Sequence, residues 1–151
     1  LKIVLAVIVQ LRFLGLSIAM IDLDHFKAIN DQFGHNAGDQ ALAHFAQCVS
    51  SELREGGTFF RYGGEEFMLL MPNTSLQQAV VVAQRLLTAI SSAPPPPCCA
   101  GIKLSASIGI AETPAHETIE KAIDRADKAM YAAKQNGRNR VEVAADLAAT
   151  V

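Results

Sequence analysis

Two acidic clusters are the residues in this chain best suited to chemistry. Asp22 and Asp24 follow a short apolar run, and Glu65 and Glu66 follow a pair of glycines at 63–64. Carboxylate oxygens are preferred ligands of Mg²⁺, which keeps substrate phosphates as further partners. Glycine lacks a Cβ, so the backbone at 63–64 can take a positive φ and approach a ligand closely. The clusters therefore predict a magnesium site that handles phosphates.

Each cluster taken alone also has a simpler interpretation. An Asp at a strand end is commonly a solvated cap, and acidic residues are common after a glycine turn.

Other phosphate and metal motifs are excluded by residue type. Phe26 and Lys27 stand where a calcium loop needs an oxygen ligand and a glycine, and the chain has no Gly-x-x-x-x-Gly-Lys loop.

The elements that must position these acids can be predicted from periodicity. The apolar run 16–22 predicts a strand buried on both faces, and 58–62 and 67–71 predict a hairpin across the glycines. Alternation over 104–110 predicts a strand with one buried face, and 141–143 a short last strand. Four further helices are predicted. The first covers 24–32, and the second follows a turn at 34–38. The third runs from a cap at 72–75 to residue 90, and the fourth covers 117–136 and stops at Gly137.

This mixture of hairpins and helices predicts an α+β fold. A largely antiparallel sheet of five strands with helices packed on it fits the order better than a purely parallel sheet. The chain has 151 residues, of which 50% are hydrophobic and 19% charged, so it is a single folded domain rather than a disordered segment. The net charge of −2 argues against a nucleic-acid surface.

The cysteines and the apolar N-terminus bear on location. Cys48, Cys98 and Cys99 are odd in number and two are adjacent, so they indicate neither a disulfide framework nor a zinc site, and the chain is expected to be cytoplasmic. Residues 1–21 are strongly apolar but interrupted by polar residues. We interpret them as a helix over 1–14 followed by the first strand, with a membrane anchor as the alternative. The chain does not begin with Met, which suggests a fragment whose first helix is truncated.

Seven ordered segments resemble the GGDEF family, over roughly residues 16–143, with 144–151 as a tail. The matching segments are 21–27 (IDLDHFK), 30–31 (ND), 34–35 (GH), 38–39 (GD), 61–67 (RYGGEEF), 107–109 (SIG) and 126–139, which contains AD, Y, K and GRN at the family's spacing. The resemblance implies the family's palm-like nucleotide-cyclase fold. It also implies a diguanylate cyclase that joins two GTP molecules into cyclic di-GMP.

The resemblance assigns metal and catalytic roles. Asp22 and the Leu23 carbonyl would bind Mg²⁺ or Mn²⁺ together with Glu65. Glu66 would hold a second metal or assist deprotonation of the ribose 3′-hydroxyl.

The resemblance also assigns substrate contacts. Asn30 and Asp39 would read guanine, whose N1–H and amine suit a carboxylate and an amide. As alternatives, Asp39 could cap a helix or be an acid in its first turn, and Asn30 could stabilise a turn. Phosphate contacts are expected from Lys134 and Arg138, which could alternatively be favourable charges at a helix end. Lys27 and the backbone amides near Phe26 are further phosphate candidates.

One domain carries one set of these residues, whereas the product needs two reciprocal attacks. A homodimer is therefore expected to be the active form, with a sensor or regulatory domain fused to it. The alternatives are a silent GGDEF module that binds GTP or cyclic di-GMP, a membrane-anchored interaction domain, and a cyclase that accepts adenine.

The sequence departs from the family at two places. The stretch that usually precedes the first strand is missing. The inhibitory product site is degenerate, because Gly57 stands where an Asp is usual three residues after Arg54, although Arg85 matches the secondary arginine. Feedback inhibition is therefore expected to be weak or absent.

Overall fold

A computed structural model describes residues 15–53 and 56–145. The predicted helix over 1–14, the residue Arg54 and the last six residues lie outside the described residues. The elements are β1 (Leu16–Leu23), α1 (Phe26–Phe33), α2 (His35–Glu52), β2 (Thr58–Gly63), β3 (Glu66–Pro72), α3 (Leu76–Ser92), β4 (Ala106–Thr113), α4 (Ile119–Gln135) and β5 (Arg140–Val143).

The five strands form one sheet in the order β2-β3-β1-β4-β5. Every pairing is antiparallel except that of β4 with β5, which is parallel. The predicted class, a mostly antiparallel five-stranded sheet with helices packed on it, is confirmed. The central strand β1 is buried along its whole length, as a continuous apolar run predicts.

Alternate residues of β1 enter two separate cores. Ile21 packs in a core that also holds Phe45 of α2 and Leu86 of α3. Met20 points to the opposite face and packs in a smaller core that includes Ala126 and Met130 of α4. The sheet is therefore covered on both faces, which fixes the strand register because a slip of one residue would exchange the two sets of side chains.

The prediction of a strand with one buried face over 104–110 is wrong. The strand is β4, and both of its faces are buried because α4 covers the second one. A Cβ on Gly109 would lie 2.1 Å from the carbonyl oxygen of Ala126 and 2.1 Å from the amide nitrogen of Met130. Only glycine allows this close approach of helix and strand, and α4 thereby comes near the end of β1.

The helix boundaries are explained by local chemistry in most places. Ser75 caps α3 in a reciprocal pair with Gln78, and Gly137 follows the end of α4 with a φ of 117°, both as predicted. The predicted turn over 34–38 is wrong, because α2 already begins at His35, after Gly34. No helix within the described ranges is long and apolar enough to cross a membrane.

Candidate active site

Both acidic clusters lie at the same end of the sheet, where β1 ends and β3 begins. Because β1 and β3 are antiparallel, the end of β1 meets the start of β3, and Asp22 pairs with Glu66 in the register. The amide of Leu23 donates a hydrogen bond to the carbonyl oxygen of Glu65 over 3.2 Å. The sheet thus joins residues more than 40 positions apart, as the magnesium hypothesis requires.

The glycine turn between β2 and β3 is shaped by its own backbone. The register of the two strands shifts between Arg61 and Gly63, and Gly64 has a φ of +40°. The guanidinium Nε of Arg61 donates to the carbonyl oxygen of Gly64 over 2.8 Å. This contact holds the turn, so that Glu65 and Glu66 leave it in a fixed direction.

Asp22 is a buried carboxylate with one cationic partner. The residue is 3% exposed, and Lys134 Nζ donates to its Oδ2 over 2.8 Å. The pKa of Asp22 is raised to about 6: burial is the largest cause, Lys134 opposes it, and the charges of Glu65 and Glu66 add to it. A carboxyl with this pKa gains strongly from a second cation.

Glu66 shares the same excess of negative charge. Its pKa is raised by burial first, then by the charge of Asp127 and that of Glu65, whereas Lys134 lowers it. Among the residues that the structure describes, Lys134 is the cation that lowers both pKa values, and it faces several acidic side chains. Such a donor set fits a divalent cation with oxygen ligands, although no three acidic, His or Cys side chains of the described chain form a complete metal cage.

Asp24 has a structural role that the sequence did not reveal. Its Oδ2 accepts hydrogen bonds from the hydroxyl of Ser105 (2.7 Å) and the amide of Asn139 (3.0 Å), and its Oδ1 accepts one from Ser107 (2.7 Å). The residue is 4% exposed. It is therefore satisfied by the protein itself and anchors the loop after α4. The only sequence signal was the alternating serines before and within β4.

The loop after α4 brings the basic candidates to the acids. Gly137, Arg138 and Asn139 all have positive φ, and the amide of Arg138 bonds the carbonyl oxygen of Ala133. The chain therefore reverses sharply between α4 and β5. Lys134, one predicted phosphate residue, is a partner of the predicted metal ligand Asp22, and Arg138, the other, is exposed in the loop that follows the helix.

The predicted guanine residues lie on the packed pair α1 and α2, with the Asn30 side chain against Gly38, the residue before Asp39. The Oδ1 atom of Asn30 lies 1.8 Å from the place that a Cβ on Gly38 would occupy, and this oxygen is buried without a hydrogen-bond partner. Asp39 is exposed in the second turn of α2 and lines an open groove of about 550 Å³ together with Arg61 and Phe59. Since α2 begins at His35, Asp39 is neither an N-cap nor a first-turn acid.

The start of α1 presents the remaining phosphate candidates. His25 precedes the helix with a φ of 58°, and Phe26 is its first residue. The first amides of a helix have no partner within it and can bind anions. Lys27 is a weaker candidate in this structure, because its ammonium is exposed and paired with Asp31 over 2.7 Å.

Arg85 lies away from the acids, on α3. Its Nη2 donates to the carbonyl oxygen of Glu52 over 2.9 Å, and it lines a cavity of about 240 Å³ together with Gly57 and Met71. Arg54, its predicted companion, is outside the described residues.

Comparisons with known proteins agree with this architecture. The profile of the family described as "Diguanylate cyclase, GGDEF domain" matches residues 11–140. Diguanylate cyclase A of Treponema denticola is 42% identical over 127 residues, covering 83% of this chain and 34% of that protein. Diguanylate cyclase DgcP of Pseudomonas aeruginosa is 42% identical over 129 residues, covering 85% and 19%. The chain thus spans about a third or less of these two relatives.

Solved structures share the fold as well. The diguanylate cyclase SiaD of Pseudomonas aeruginosa, solved with its activator SiaC, superposes with a TM-score of 0.88 at 34% identity, over 95% of this chain and 57% of that one. An active GGEEF domain from Vibrio cholerae gives 0.82 at 32% identity, over 94% and 90%. The resemblance found in the sequence is confirmed: the chain belongs to the GGDEF domain family of diguanylate cyclases.

Proposed function

We propose that this domain condenses two GTP molecules into cyclic di-GMP and releases two pyrophosphates. In each half-reaction the 3′-oxygen of one GTP attacks the α-phosphorus of the other, and pyrophosphate leaves. The observation that carries the proposal is the buried Asp22, with its raised pKa, beside Glu66 and Lys134 at the end of β1. A carboxyl in such surroundings is a common mark of a functional site.

Asp22, the Leu23 carbonyl and Glu65 would hold Mg²⁺ or Mn²⁺ here. The unbalanced acidic charge around Asp22 supports this assignment, and Mg²⁺ sites usually combine one or two carboxylates with water and phosphate oxygens. When bound, the metal would neutralise the triphosphate and lower the pKa of the attacking hydroxyl.

Glu66 is the proposed proton acceptor for the ribose 3′-hydroxyl, or else a ligand for a second metal. Its raised pKa supports the first role, because a carboxylate with a higher pKa is a stronger base. Lys134 and Arg138 would bind phosphate oxygens. Lys134 is already partly buried at the site, which lowers the entropy lost when it binds an anion.

Asn30 and Asp39 would select guanine. The Oδ1 of Asn30 is buried against Gly38 without a partner, and the exposed carboxylate of Asp39 can accept from the base. An adenine base would leave these polar groups unpaired, which costs about 1–3 kcal/mol for each such group.

Two copies related by a two-fold axis are needed, because each nucleotide must attack the other. The decisive experiment is turnover of a covalently linked dimer with GTP and Mg²⁺, with the products identified by mass. We expect cyclic di-GMP from the wild type, at least a hundredfold less from Glu65→Gln, and unchanged turnover from Glu120→Gln, which alters an exposed acid on α4. A folded dimer that binds GTP without forming product would instead indicate the silent binding module.

Weak product feedback is proposed for the degenerate inhibitory site. Arg85 already contacts Glu52, and Gly57 offers no carboxylate to orient a second arginine. The concentration of added cyclic di-GMP that halves turnover should therefore differ less than twofold between Arg85→Ala and the wild type. Tight product binding that this substitution abolishes would contradict the assignment.

A further inference from the structure

The adjacent cysteines lie in the loop between α3 and β4, outside the acidic site. Cys98 Sγ is 3.0 Å from Cys99 Sγ, and neither is part of a disulfide. Cys98 is half-buried and Cys99 is fully buried. One thiol of the pair is therefore open to a small reagent, while the other is held against it.

The loop fixes this arrangement. The amide of Cys99 bonds the carbonyl oxygen of Pro96 (2.9 Å), and the amide of Ile102 bonds the carbonyl oxygen of Cys99 (3.1 Å). Both sulfurs also contact the carbonyl oxygen of Ala37 in α2. The distance is 3.5 Å from Cys98 Sγ and 3.9 Å from Cys99 Sγ. The pair is thus anchored from both sides rather than free to rotate apart.

We propose that Cys98 and Cys99 form a reversible dithiol–disulfide site that reacts with small disulfides such as oxidised glutathione. The Cys98 thiolate attacks one sulfur of the reagent, and one glutathione thiolate leaves. The Cys99 thiol then loses its proton to solvent, and its sulfur attacks Cys98, so that the second glutathione thiolate leaves. The protein is oxidised by two electrons, and one oxidised glutathione becomes two reduced ones.

The environment of Cys99 sets the order of the two attacks. Burial, together with a hydrogen bond and charge from Cys98, raises the pKa of Cys99 to about 11, so the buried thiol does not compete as first nucleophile. Once Cys98 is in a mixed disulfide, the hydrogen bond and the charge are gone, and only burial continues to hold the proton. Neighbouring Cα atoms are about 3.8 Å apart, closer than the usual range of about 4.4–6.8 Å for a disulfide. The bond is therefore strained and easily reduced, as in labile disulfides.

The disulfide would also act on the proposed guanine pocket, an effect that rests on the proposed function. Oxidation removes both thiol protons and so any hydrogen bond to the carbonyl oxygen of Ala37, the residue just before Gly38, against which Asn30 lies. We expect the affinity for GTP to fall at least twofold in the oxidised form.

The test uses the reduced full chain, incubated with oxidised glutathione and digested with trypsin after the remaining thiols are blocked. The peptide of residues 86–103 contains both cysteines and excludes Cys48. We expect this peptide to lose two hydrogen atoms and carry no glutathione, and to return to the dithiol with mild reductant. Cys99→Ser should instead keep one glutathione on Cys98.

A stable glutathione adduct on the wild-type peptide, a disulfide to Cys48, or two free thiols would each overturn the proposal. The ratio of disulfide to dithiol at Cys98 and Cys99 should be at least tenfold higher in the folded chain than in the same chain in guanidinium. Equal ratios would refute preorganisation by the loop. GTP affinity is measured separately in Cys48→Ser. An unchanged affinity after oxidation would overturn the coupling, whereas no GTP binding in the reduced form would contradict the proposed function.

Discussion

Replacing Asp22 by Asn in the metal-free domain should stabilise the fold increasingly as the pH rises. Burial raises the pKa of this carboxyl from 3.8 to about 6, so ionising it in the folded state is unfavourable. At about 1.4 kcal/mol per pH unit, this difference corresponds to about 3 kcal/mol of stability.

The sign follows from proton binding. The unfolded chain releases the Asp22 proton near pH 4 and the folded chain near pH 6, so the folded state holds more protons in between. The contribution is therefore fully present below about pH 4 and is lost as the pH rises through about 6. Asn does not titrate, so the unfolding free energy of the variant minus that of the wild type should increase by about 3 kcal/mol over this range.

The measurement is urea unfolding followed by circular dichroism, with a chelator present, at intervals from pH 3.5 to 7.5. Asp124→Asn is the matched control, because Asp124 makes an ion pair of 2.7 Å with Lys128 at an exposed position, and its difference should stay within about 0.5 kcal/mol. If the difference for Asp22→Asn is equally flat across the range, the reasoning about its burial is wrong.

Three other substitutions follow from the same contacts. Asp24→Asn should cost about 2–4 kcal/mol of unfolding free energy, since it disrupts a buried carboxylate with three donors; retention of wild-type stability would contradict an anchoring role. Gly109→Ala should destabilise by more than about 3 kcal/mol because its Cβ meets the α4 backbone, whereas Gly57→Ala, with a nearest contact of 3.5 Å, should change little in thermal unfolding. Lys134→Met should raise the pKa of Asp22 further, seen by carbon NMR of its carboxyl group; a lower pKa would exclude the ion pair.

Features set by neighbouring residues could be predicted from the sequence. The buried run of β1, the hairpin across the glycines and the Ser75 cap each depend on residues within a few positions. The start of α2 could not be predicted, because Gly38 reads locally as a turn residue. Gly38 is nevertheless inside the helix, where its missing side chain leaves room for Asn30.

The residues of the candidate site could be predicted one by one, but their contacts with distant parts of the chain could not. Family resemblance predicted Asp22 and Lys134 individually, but no pattern in the sequence shows that they form a buried ion pair. The role of Asp24 was missed because its partners Ser105 and Asn139 lie 81 and 115 positions away. The second buried face of β4 was missed because it depends on the close approach of α4 at Gly109, which is a property of packing rather than of alternation.

The ion pair between Lys134 and Asp22 joins positions 112 residues apart. A chain cut in the loop at residues 73–75 would place β1 and the glycine hairpin on one piece and α4 on the other. Neither piece would then hold a complete set of acidic and basic groups; the first would lack the helix that covers one face of its sheet, and the second would expose the edge of β4 that pairs with β1. If the two pieces were fused to interacting proteins, the proposed activity would therefore return only on their reassembly.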